Sequence, residues 1–370
     1  MKKVLVTGSR GFIGKNLLEA LSRQNNVKVN GFDVDDHLSS LGPLVQEADI
    51  IYHLAGVNRP LDIKEFETGN KELTQTIIGS LMKYGKSAAI VMSSSIQAEI
   101  DNPYGVSKRQ AEDVLLDYNK RTGAPVFIYR LPNVFGKWSR PNYNSVVATC
   151  CHNISHGLDI TISDPNKEIE LVYIDDVVNA FMAILSGIIP ATNHYLTIRP
   201  SYKITLGDLA DKIYQFLNVR KTLILPDLSD DFMRCLYSTY LSYLDKDDLS
   251  YELEVKTDNR GILAELIKSD HFGQMFVSKS HAGVIRGNHY HNTKIEKFCV
   301  IHGRAVIKLR HIFSDEVLSY HVSDDKIKVV DIPPGYTHSI ENISDGEMIV
   351  LFWANSIFDP EKPDTYFSEV

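Results

Sequence analysis

The stretch KVLVTGSRGFIG at residues 3–14 decides the fold of the amino-terminal part of the chain. The apolar residues Val4 to Val6 predict a short buried strand. The glycines that follow are spaced as GxxGxxG, at Gly8, Gly11 and Gly14, and apolar residues then recur at helical spacing. Glycines between a strand and a helix let a pyrophosphate approach the backbone N–H groups at the helix start. The pattern therefore favours a dinucleotide site over a merely glycine-rich turn.

Strands and helices are predicted to alternate beyond this stretch, up to about residue 215. The predicted strands cover 27–32, 50–54, 88–92 and 126–129, and the predicted helices cover 72–84 and 103–121. Such alternation is typical of an α/β fold built on a doubly wound parallel sheet of the Rossmann-like kind.

The pattern changes after an acidic stretch at residues 226–251. Beyond it, short β-type runs are broken by Gly, Pro, Asn and Asp without intervening helices, which predicts an all-β barrel or sandwich. A chain of 370 residues is also longer than one hydrophobic core usually serves. We therefore predict two domains, at residues 1–245 and 252–370.

The composition narrows the class of protein and its compartment. Lys and Arg total 39 against 47 Asp and Glu, a formal net charge of −8, which disfavours nucleic acid as the main partner. The four cysteines form no CxxC pair, which is typical of a reducing compartment. The apolar run at the start is too short for a signal sequence, and no run approaches the roughly 20 apolar residues of a membrane span. We expect a soluble, cytoplasmic protein without membrane insertion.

Two residues near the glycine turn bear on the choice of coenzyme. Asp33 ends the second predicted strand, 19 residues after Gly14, where an acid ordinarily bonds the ribose 2′-hydroxyl of NAD. Arg10, inside the turn, is suited to the 2′-phosphate of NADP, although it could equally be a solvated surface charge. The signals conflict, and we favour NADPH because a guanidinium inside the turn has little other purpose. The predicted cofactor-binding residues are Gly8, Arg10, Gly11, Phe12, Ile13, Gly14, Asp33 and Lys108.

A second constellation, YGVSK from Tyr104 to Lys108, follows the serine run Ser93 to Ser95 at the end of a predicted strand. Tyr and Lys four residues apart share one face of a helix. The ammonium favours the phenolate, so the phenol can exchange a proton with a carbonyl or alcohol oxygen that a serine hydroxyl holds. The YxxxK pattern alone occurs by chance in many helices. Behind a glycine turn and a serine run, it predicts a catalytic site.

These motifs resemble the extended short-chain dehydrogenase/reductase family, in its branch that acts on nucleotide sugars. The resemblance covers about residues 1–245 and includes IIYHLAG at 50–56, RLPNVFG at 130–136 and YIDD at 173–176.

The resemblance implies a role for four residues. Tyr104 would donate the proton, Lys108 would assist it and contact the ribose, and Asn133 would lie near the substrate. Ser94 is the implied holder of the substrate oxygen. The loop after the serines is shorter than is usual in the family, so Ser93 and Ser95 stay open for that role.

The carboxy-terminal part contains the motif HxHx4E. His289 and His291 are two residues apart, which places both imidazoles on one face of a strand. Glu296 can return from the following strand, and His338, in the run PPGYTH, offers a third imidazole. A lone HxH is more often a pair of surface or structural histidines, but this full spacing is far more restrictive. Three His and one Glu suit a divalent transition metal, such as zinc, iron, nickel or manganese, better than calcium.

The same spacing resembles the cupin family over about residues 252–370. The glycine that usually precedes the second cupin motif is absent, because Ile327 stands in its place. The resemblance implies an all-β barrel of the double-stranded β-helix kind, with His289, His291, Glu296 and His338 as metal ligands.

A reductase fused to a metal cupin resembles a class of bifunctional enzymes of capsular polysaccharide biosynthesis. That resemblance implies a zinc cupin that epimerises C3 of a UDP-linked 2-acetamido-2,6-dideoxy-4-hexulose. The reductase would then reduce the C4 ketone with NADPH, toward UDP-N-acetyl-L-fucosamine, and the enzyme would be a homodimer. Two alternatives stay open: a keto-sugar reductase with a structural or sensing metal domain, and a cupin dioxygenase or isomerase with an unrelated substrate.

Overall fold

The amino-terminal strands form a parallel sheet in the computed structural model, which describes residues 1–60, 62–188 and 193–370. The strands of this part are β1 (Lys2–Thr7), β2 (Val27–Phe32), β3 (Ile50–His53), β4 (Ala89–Ser95), β5 (Val126–Leu131), β6 (Asn133–Phe135), β7 (Glu168–Tyr173), β8 (Tyr195–Leu196) and β9 (Tyr202–Thr205). The main sheet has the order β2-β1-β3-β4-β5-β8, and its neighbouring strands run parallel. A smaller sheet has the order β6-β7-β9. The predicted Rossmann-like sheet is confirmed.

Helices cover both faces of the main sheet. The α-helices along the chain are α1 (Phe12–Ser22), α2 (Leu41–Glu47), α3 (Lys64–Phe66), α4 (Leu73–Lys83), α5 (Pro103–Thr122), α6 (Val146–Ser155), α7 (Ile174–Leu185), α8 (Leu206–Thr222) and α9 (Asp231–Leu241). Successive residues of β1 point to opposite faces. Val4 therefore packs in one core with Leu17 of α1 and Phe181 of α7, whereas Leu5 packs in the other with Ile77 of α4.

The strand order places the glycine turn where ligands bind in doubly wound folds. The order reverses between β1 and β3, so the loops that leave the carboxyl ends of these two strands diverge to opposite sides of the sheet. The glycine turn leaves β1 at this point and leads directly into α1. The fold thus puts open N–H groups at the crevice of the sheet.

The carboxy-terminal part forms two antiparallel sheets. Its strands are β10 (Val255–Asp258), β11 (Gly261–Ser269), β12 (Gly273–Ser280), β13 (Ile285–Tyr290), β14 (Glu296–His302), β15 (Arg304–His311), β16 (Val317–Ser323), β17 (Val329–Ile332), β18 (Tyr336–Asn342), β19 (Met348–Ala354) and β20 (Tyr366–Phe367). One sheet has the order β10-β11-β12-β19-β14-β17 and the other β16-β15-β18-β13-β20. Buried residues of both sheets share one core, for example Phe298 and Phe352 of the first with Ile307 and Ile340 of the second. The predicted all-β character is confirmed, and the cupin barrel stays a prediction.

The chain divides into two compact units, Met1–Ile213 with Cys235–Leu244 and Tyr214–Arg234 with Asp245–Val370. The boundaries of the predicted domains, 1–245 and 252–370, stay a prediction. In the described residues, no helix combines the length and the apolar character that a membrane crossing requires.

The acidic stretch 226–251, which the sequence marks as a break between patterns, contains the helix α9. Met233, Leu236 and Tyr240 are buried and spaced three and four residues apart, so they lie on one face of this helix. Asp230 accepts a hydrogen bond from the Met233 amide at 2.7 Å, which caps the helix start. Ser and Asp are abundant around these few apolar residues, so the composition of the stretch does not indicate a helix.

Candidate active site and metal centre

The turn after β1 has the backbone that a dinucleotide site requires. Gly8 has a φ of +69°, and a Cβ on it would lie 2.6 Å from the Ala55 amide nitrogen. A Cβ on Gly14 would lie 2.1 Å from the Gly8 carbonyl oxygen. The amide of Gly11 closes the turn by donating to that same oxygen at 3.0 Å. These short distances exclude a side chain at Gly8 and at Gly14. No side chain caps the start of α1, so the backbone N–H groups there stay open for a pyrophosphate.

The residues predicted to choose the coenzyme lie together beside this turn. The Asp33 carboxylate accepts hydrogen bonds from the Arg10 amide at 2.6 Å and the Val34 amide at 2.8 Å. The Arg10 guanidinium lies 3.4 Å from a carboxylate oxygen of Asp35 and 3.5 Å from one of Asp36. Arg10 therefore has acidic partners of its own in the loop after β2.

The Tyr104 and Lys108 pair lies at the start of α5, as the sequence predicts. Asn102 caps this helix by accepting from the Gly105 amide at 2.8 Å. A Cβ on Gly105 would lie 2.1 Å from the Gln97 carbonyl oxygen, so glycine is needed for the chain to enter the helix here. Local sequence thus fixes where Tyr104 and Lys108 stand.

Lys108 is buried, and this burial decides its electrostatics. Its ammonium donates to the Ser93 carbonyl oxygen at 2.8 Å. Burial lowers the pKa of Lys108 from 10.5 to about 8, although the nearby Glu112 charge opposes the shift. Burial also raises the pKa of Tyr104, and the Ser95 hydroxyl partly offsets that shift. The phenol is therefore protonated near neutral pH in the ligand-free protein, ready to donate.

The structure separates the three serines of the run by the alternation of β4. Ser94 donates a short hydrogen bond to the carboxylate of Glu112, whereas the side chain that reaches Tyr104 is that of Ser95. Ser94 and Ser95 are neighbours in the strand, so their side chains leave it in opposite directions. Of the two alternatives that the sequence leaves open, Ser93 and Ser95, it is Ser95 that contacts Tyr104, whereas the Ser94 hydroxyl is engaged by Glu112.

Glu112 is a buried residue of this site that the sequence analysis missed. Its carboxylate accepts from the Arg130 guanidinium at 2.6 Å and from the Tyr195 hydroxyl at 3.3 Å. The only signal in the sequence is its spacing, since Glu112 follows Lys108 by four residues and so shares its helix face. It holds Ser94, and through that contact the end of β4, in a fixed position.

Asn133 occupies the start of β6 and is exposed. Its side-chain amide donates to the Glu170 carbonyl oxygen at 3.1 Å, which joins it to β7. No contact with Tyr104, Lys108 or the serines is observed for it among the described residues. Its predicted role near the substrate stays a prediction.

The four predicted metal ligands converge in the carboxy-terminal unit. One ligand atom from each of His289, His291, Glu296 and His338 lies within 4.8 Å of the others. His289 lies opposite His338 in the pairing of β13 with β18, and Glu296 begins β14. Gly287 permits this arrangement, because a Cβ on it would lie 2.6 Å from the His338 carbonyl oxygen.

The donor atoms of this cluster are buried without hydrogen-bond partners, as metal ligands are. These atoms are His291 Nε2, His338 Nε2 and Glu296 Oε2. The Glu296 oxygen lies 3.3 Å from each of the two nitrogens, without hydrogen-bond geometry. Leaving such atoms unpaired is costly unless a ligand satisfies them. Three imidazoles and one carboxylate are a donor set that fits a transition metal such as zinc.

Electrostatics favour the metal-binding protonation states of His289 and Glu296, whereas Glu296 raises the pKa of His291 despite its burial. Burial lowers the pKa of His289 to about 4, and the neighbouring His338 and His291 lower it further in the same direction. Burial alone would raise the pKa of Glu296, but His291 and His338 outweigh it and hold that pKa at about 2. A neutral His289 and an ionised Glu296 are the forms that coordinate a cation.

Comparison with known proteins defines the class. The chain belongs to the NAD dependent epimerase/dehydratase family, which matches residues 4–193. Residues 256–366 match the polysaccharide biosynthesis C-terminal domain. Membership of this family agrees with the predicted oxidoreductase and with a nicotinamide dinucleotide as its cofactor.

Two proteins resemble the chain over its full length. It is 45% identical over 368 residues to the UDP-2-acetamido-2,6-beta-L-arabino-hexul-4-ose reductase of Pseudomonas aeruginosa, a match that covers 100% of this chain and 99% of that protein. The crystal structure of the capsular polysaccharide assembling protein CapF from Staphylococcus aureus is similar with a TM-score of 0.93 and 45% identity, covering 99% and 100% of the two chains. The UDP-glucuronic acid 4-epimerase of Bacillus cereus, at 21% identity, covers 58% of this chain and 82% of its own with a TM-score of 0.53, and shares the fold alone.

Proposed function

We propose that the chain is a bifunctional nucleotide-sugar enzyme of capsular polysaccharide biosynthesis. Its substrate would be a UDP-linked 2-acetamido-2,6-dideoxy-4-hexulose, epimerised at C3 by a carboxy-terminal zinc cupin and reduced at C4 by the amino-terminal unit. The product is a precursor of UDP-N-acetyl-L-fucosamine, and the enzyme acts as a homodimer in the cytoplasm. The proposal rests on two sites in one chain. A Tyr104 and Lys108 pair follows a dinucleotide turn, and a buried cluster of His and Glu lies in the carboxy-terminal unit. The chain is also similar to a UDP-hexulose reductase over its full length.

The reductase half of the proposal follows from the groups around Tyr104. A bound nicotinamide dinucleotide supplies the hydride that the C4 carbon accepts. Tyr104 donates its phenolic proton to the carbonyl oxygen as that oxygen gains negative charge. Ser95 donates a hydrogen bond to the same oxygen and holds it beside Tyr104. Lys108 contacts the ribose and, as a cation, stabilises the phenolate that Tyr104 leaves behind.

The epimerase half rests on the His/Glu cluster. His289, His291, Glu296 and His338 would hold the zinc ion, which when bound polarises a carbonyl as a Lewis acid. A hydrogen on carbon next to a ketone is acidic, so a base beside C3 of a 4-keto sugar can take this proton, and a proton then returns to the other face of C3. The cluster is buried apart from the half-buried His289, which limits access of bulk water to the ion.

The loop after β2 bears on the choice between NADPH, which the sequence favours, and NADH. The sequence favours NADPH because a guanidinium inside the turn has little other purpose, but the Arg10 guanidinium pairs with Asp35 and Asp36. The Asp33 carboxylate lies beside them, where it accepts from the Arg10 amide. Three carboxylates near the turn oppose the double negative charge of a 2′-phosphate. A ribose 2′-hydroxyl can instead donate to Asp33. We propose that the coenzyme is NADH rather than NADPH.

We expect kcat/KM to be about tenfold or more higher with NADH than with NADPH. The double variant Asp35→Asn/Asp36→Asn should narrow this ratio, since it frees Arg10 and removes two negative charges. Steady-state reduction of the keto sugar with each coenzyme measures the ratio, and fluorescence titration of each coenzyme without sugar measures binding alone. Tighter binding of NADPH by the wild type would show that the coenzyme assignment is wrong.

The experiment that tests the epimerase uses the UDP-linked 4-keto sugar in deuterated water without coenzyme. We expect deuterium uptake at C3, detected by mass spectrometry and located by NMR. His289→Ala should lose this uptake while keeping the circular dichroism spectrum of the wild type, and Tyr104→Phe should retain it. Uptake no faster than in the enzyme-free control would reduce the function to keto-sugar reduction. Unfolding of His289→Ala would instead support a structural metal.

A further inference from the structure

The loop that joins two metal ligands is organised by one carboxylate from the far end of the chain. Asp364 accepts hydrogen bonds from the amides of Asn292 at 3.0 Å, Thr293 at 2.9 Å and Lys294 at 3.0 Å. It also accepts from the Thr293 hydroxyl at 2.8 Å. These residues lie between His291 and Glu296, so a single side chain fixes the path from one ligand to the other.

The same residue also contacts a metal ligand directly. The backbone carbonyl oxygen of Asp364 accepts a short hydrogen bond from Nδ1 of His291. A neutral imidazole that donates from Nδ1 carries its lone pair on Nε2. Nε2 is the atom of His291 that lies buried without a partner beside Glu296. Asp364 thus sets both the orientation and the tautomer that coordination through Nε2 requires.

The segment around Asp364 is tied to the strands that bear the other ligands. β20 pairs with β13, so that Phe367 lies opposite His289. The carbonyl oxygen of Ser368 accepts from the Thr337 hydroxyl, next to His338, at 2.5 Å. The buried Lys294 ammonium donates to the Pro363 carbonyl oxygen at 3.2 Å. The last residues of the chain therefore touch the surroundings of every imidazole in the cluster.

We propose that Asp364 is a positioning residue of the metal centre, and that residues 363–368 form a wall of that centre. This inference rests on the proposed metal site and adds residues that the HxHx4E spacing does not contain. The carboxylate anchors the loop 292–294 and the carbonyl oxygen holds His291, so loss of the carboxylate frees the carbonyl oxygen to move. The backbone of Asp364 has a φ of +44°, a region that Asn also tolerates but Ala does not favour.

The test measures metal affinity without any assay of activity. Zinc-loaded protein, purified without a histidine tag, is titrated with a chromogenic chelator. We expect Asp364→Ala to lower the affinity for zinc about 10- to 100-fold, as removal of such outer contacts typically does. Asp364→Asn keeps an acceptor oxygen and tolerates the positive φ, so its loss of zinc affinity should be smaller. Asp345→Ala, which removes a fully exposed carboxylate paired only loosely with Arg304, is the matched control.

A second measurement applies even where Asp364→Ala does not fold. Nitrogen-15 NMR of labelled histidines in the zinc-loaded wild type should show His291 protonated on Nδ1. Wild-type zinc affinity in a folded Asp364→Ala, or an unprotonated Nδ1 in the wild type, would overturn the inference while leaving the metal site intact. Absence of zinc binding by the wild type would overturn the metal site itself.

Discussion

Tyr104→Phe should lower kcat/KM for coenzyme-dependent reduction of the keto sugar by about 10³-fold or more, within the range expected for loss of a positioned general acid. Phenylalanine keeps the packing of the ring, which lies 5.6 Å from the Phe66 ring, and removes only the hydroxyl. The carbonyl oxygen then gains its charge without a proton donor. Stopped-flow or steady-state absorbance of the reduced coenzyme measures the effect.

Two controls separate catalysis from general damage. Tyr84→Phe removes a hydroxyl from a partly exposed tyrosine next to α4, and it should reduce the substrate at the wild-type rate. Coenzyme binding by Tyr104→Phe should also stay close to that of the wild type, because the glycine turn is untouched. Reduction at a normal rate by Tyr104→Phe would show that the assignment of the proton donor is wrong.

His338→Ala should lower the metal content of the carboxy-terminal unit well below one ion per chain. The wild type should carry about one transition metal ion per chain, because the four side chains form a single compact donor set that suits such an ion. Removal of His338 leaves a three-donor site and a cavity beside Phe298, whose ring lies 5.5 Å from the His338 ring. Elemental analysis of protein purified without a histidine tag gives the metal content directly.

The matched control is His321→Ala, which removes an exposed imidazole from β16. It should keep the wild-type metal content. Reduction of a sugar that is already epimerised should also survive in His338→Ala, since Tyr104 and Lys108 are unchanged. Equal metal in His338→Ala and the wild type would contradict the ligand set.

The parts of the candidate site whose positions could be predicted from the sequence are those that local spacing encodes. The glycine turn follows from Gly8 and Gly14, because close backbone approaches demand glycine at fixed intervals. The four-residue spacing of Tyr104 and Lys108 follows from the geometry of a helix. The HxHx4E spacing likewise brings its members together through one strand pair and its loop.

The parts of the candidate site that could not be predicted from the sequence depend on two things. One is the face of a strand to which a side chain points, and the other is contacts between residues far apart in the sequence. Three adjacent serines look equivalent in a sequence, and only the course of β4 shows that Ser94 turns toward Glu112. The Arg10 side chain meets Asp35 and Asp36 across a strand and a helix. Asp364 lies 73 residues from the histidine it holds, so no short motif could reveal the contact.

The burial of Lys108 also affects how well the folded protein tolerates amino-acid substitutions. A shift of its pKa from 10.5 to about 8 means that the folded state is destabilised by about 3 kcal/mol while the group is charged in both states, below about pH 8. Between about pH 8 and 10.5 the unfolded chain binds the proton that the folded chain has lost, so this penalty fades as pH rises. At neutral pH the amino-terminal unit therefore tolerates destabilising core substitutions less well than a similar fold without a buried ammonium.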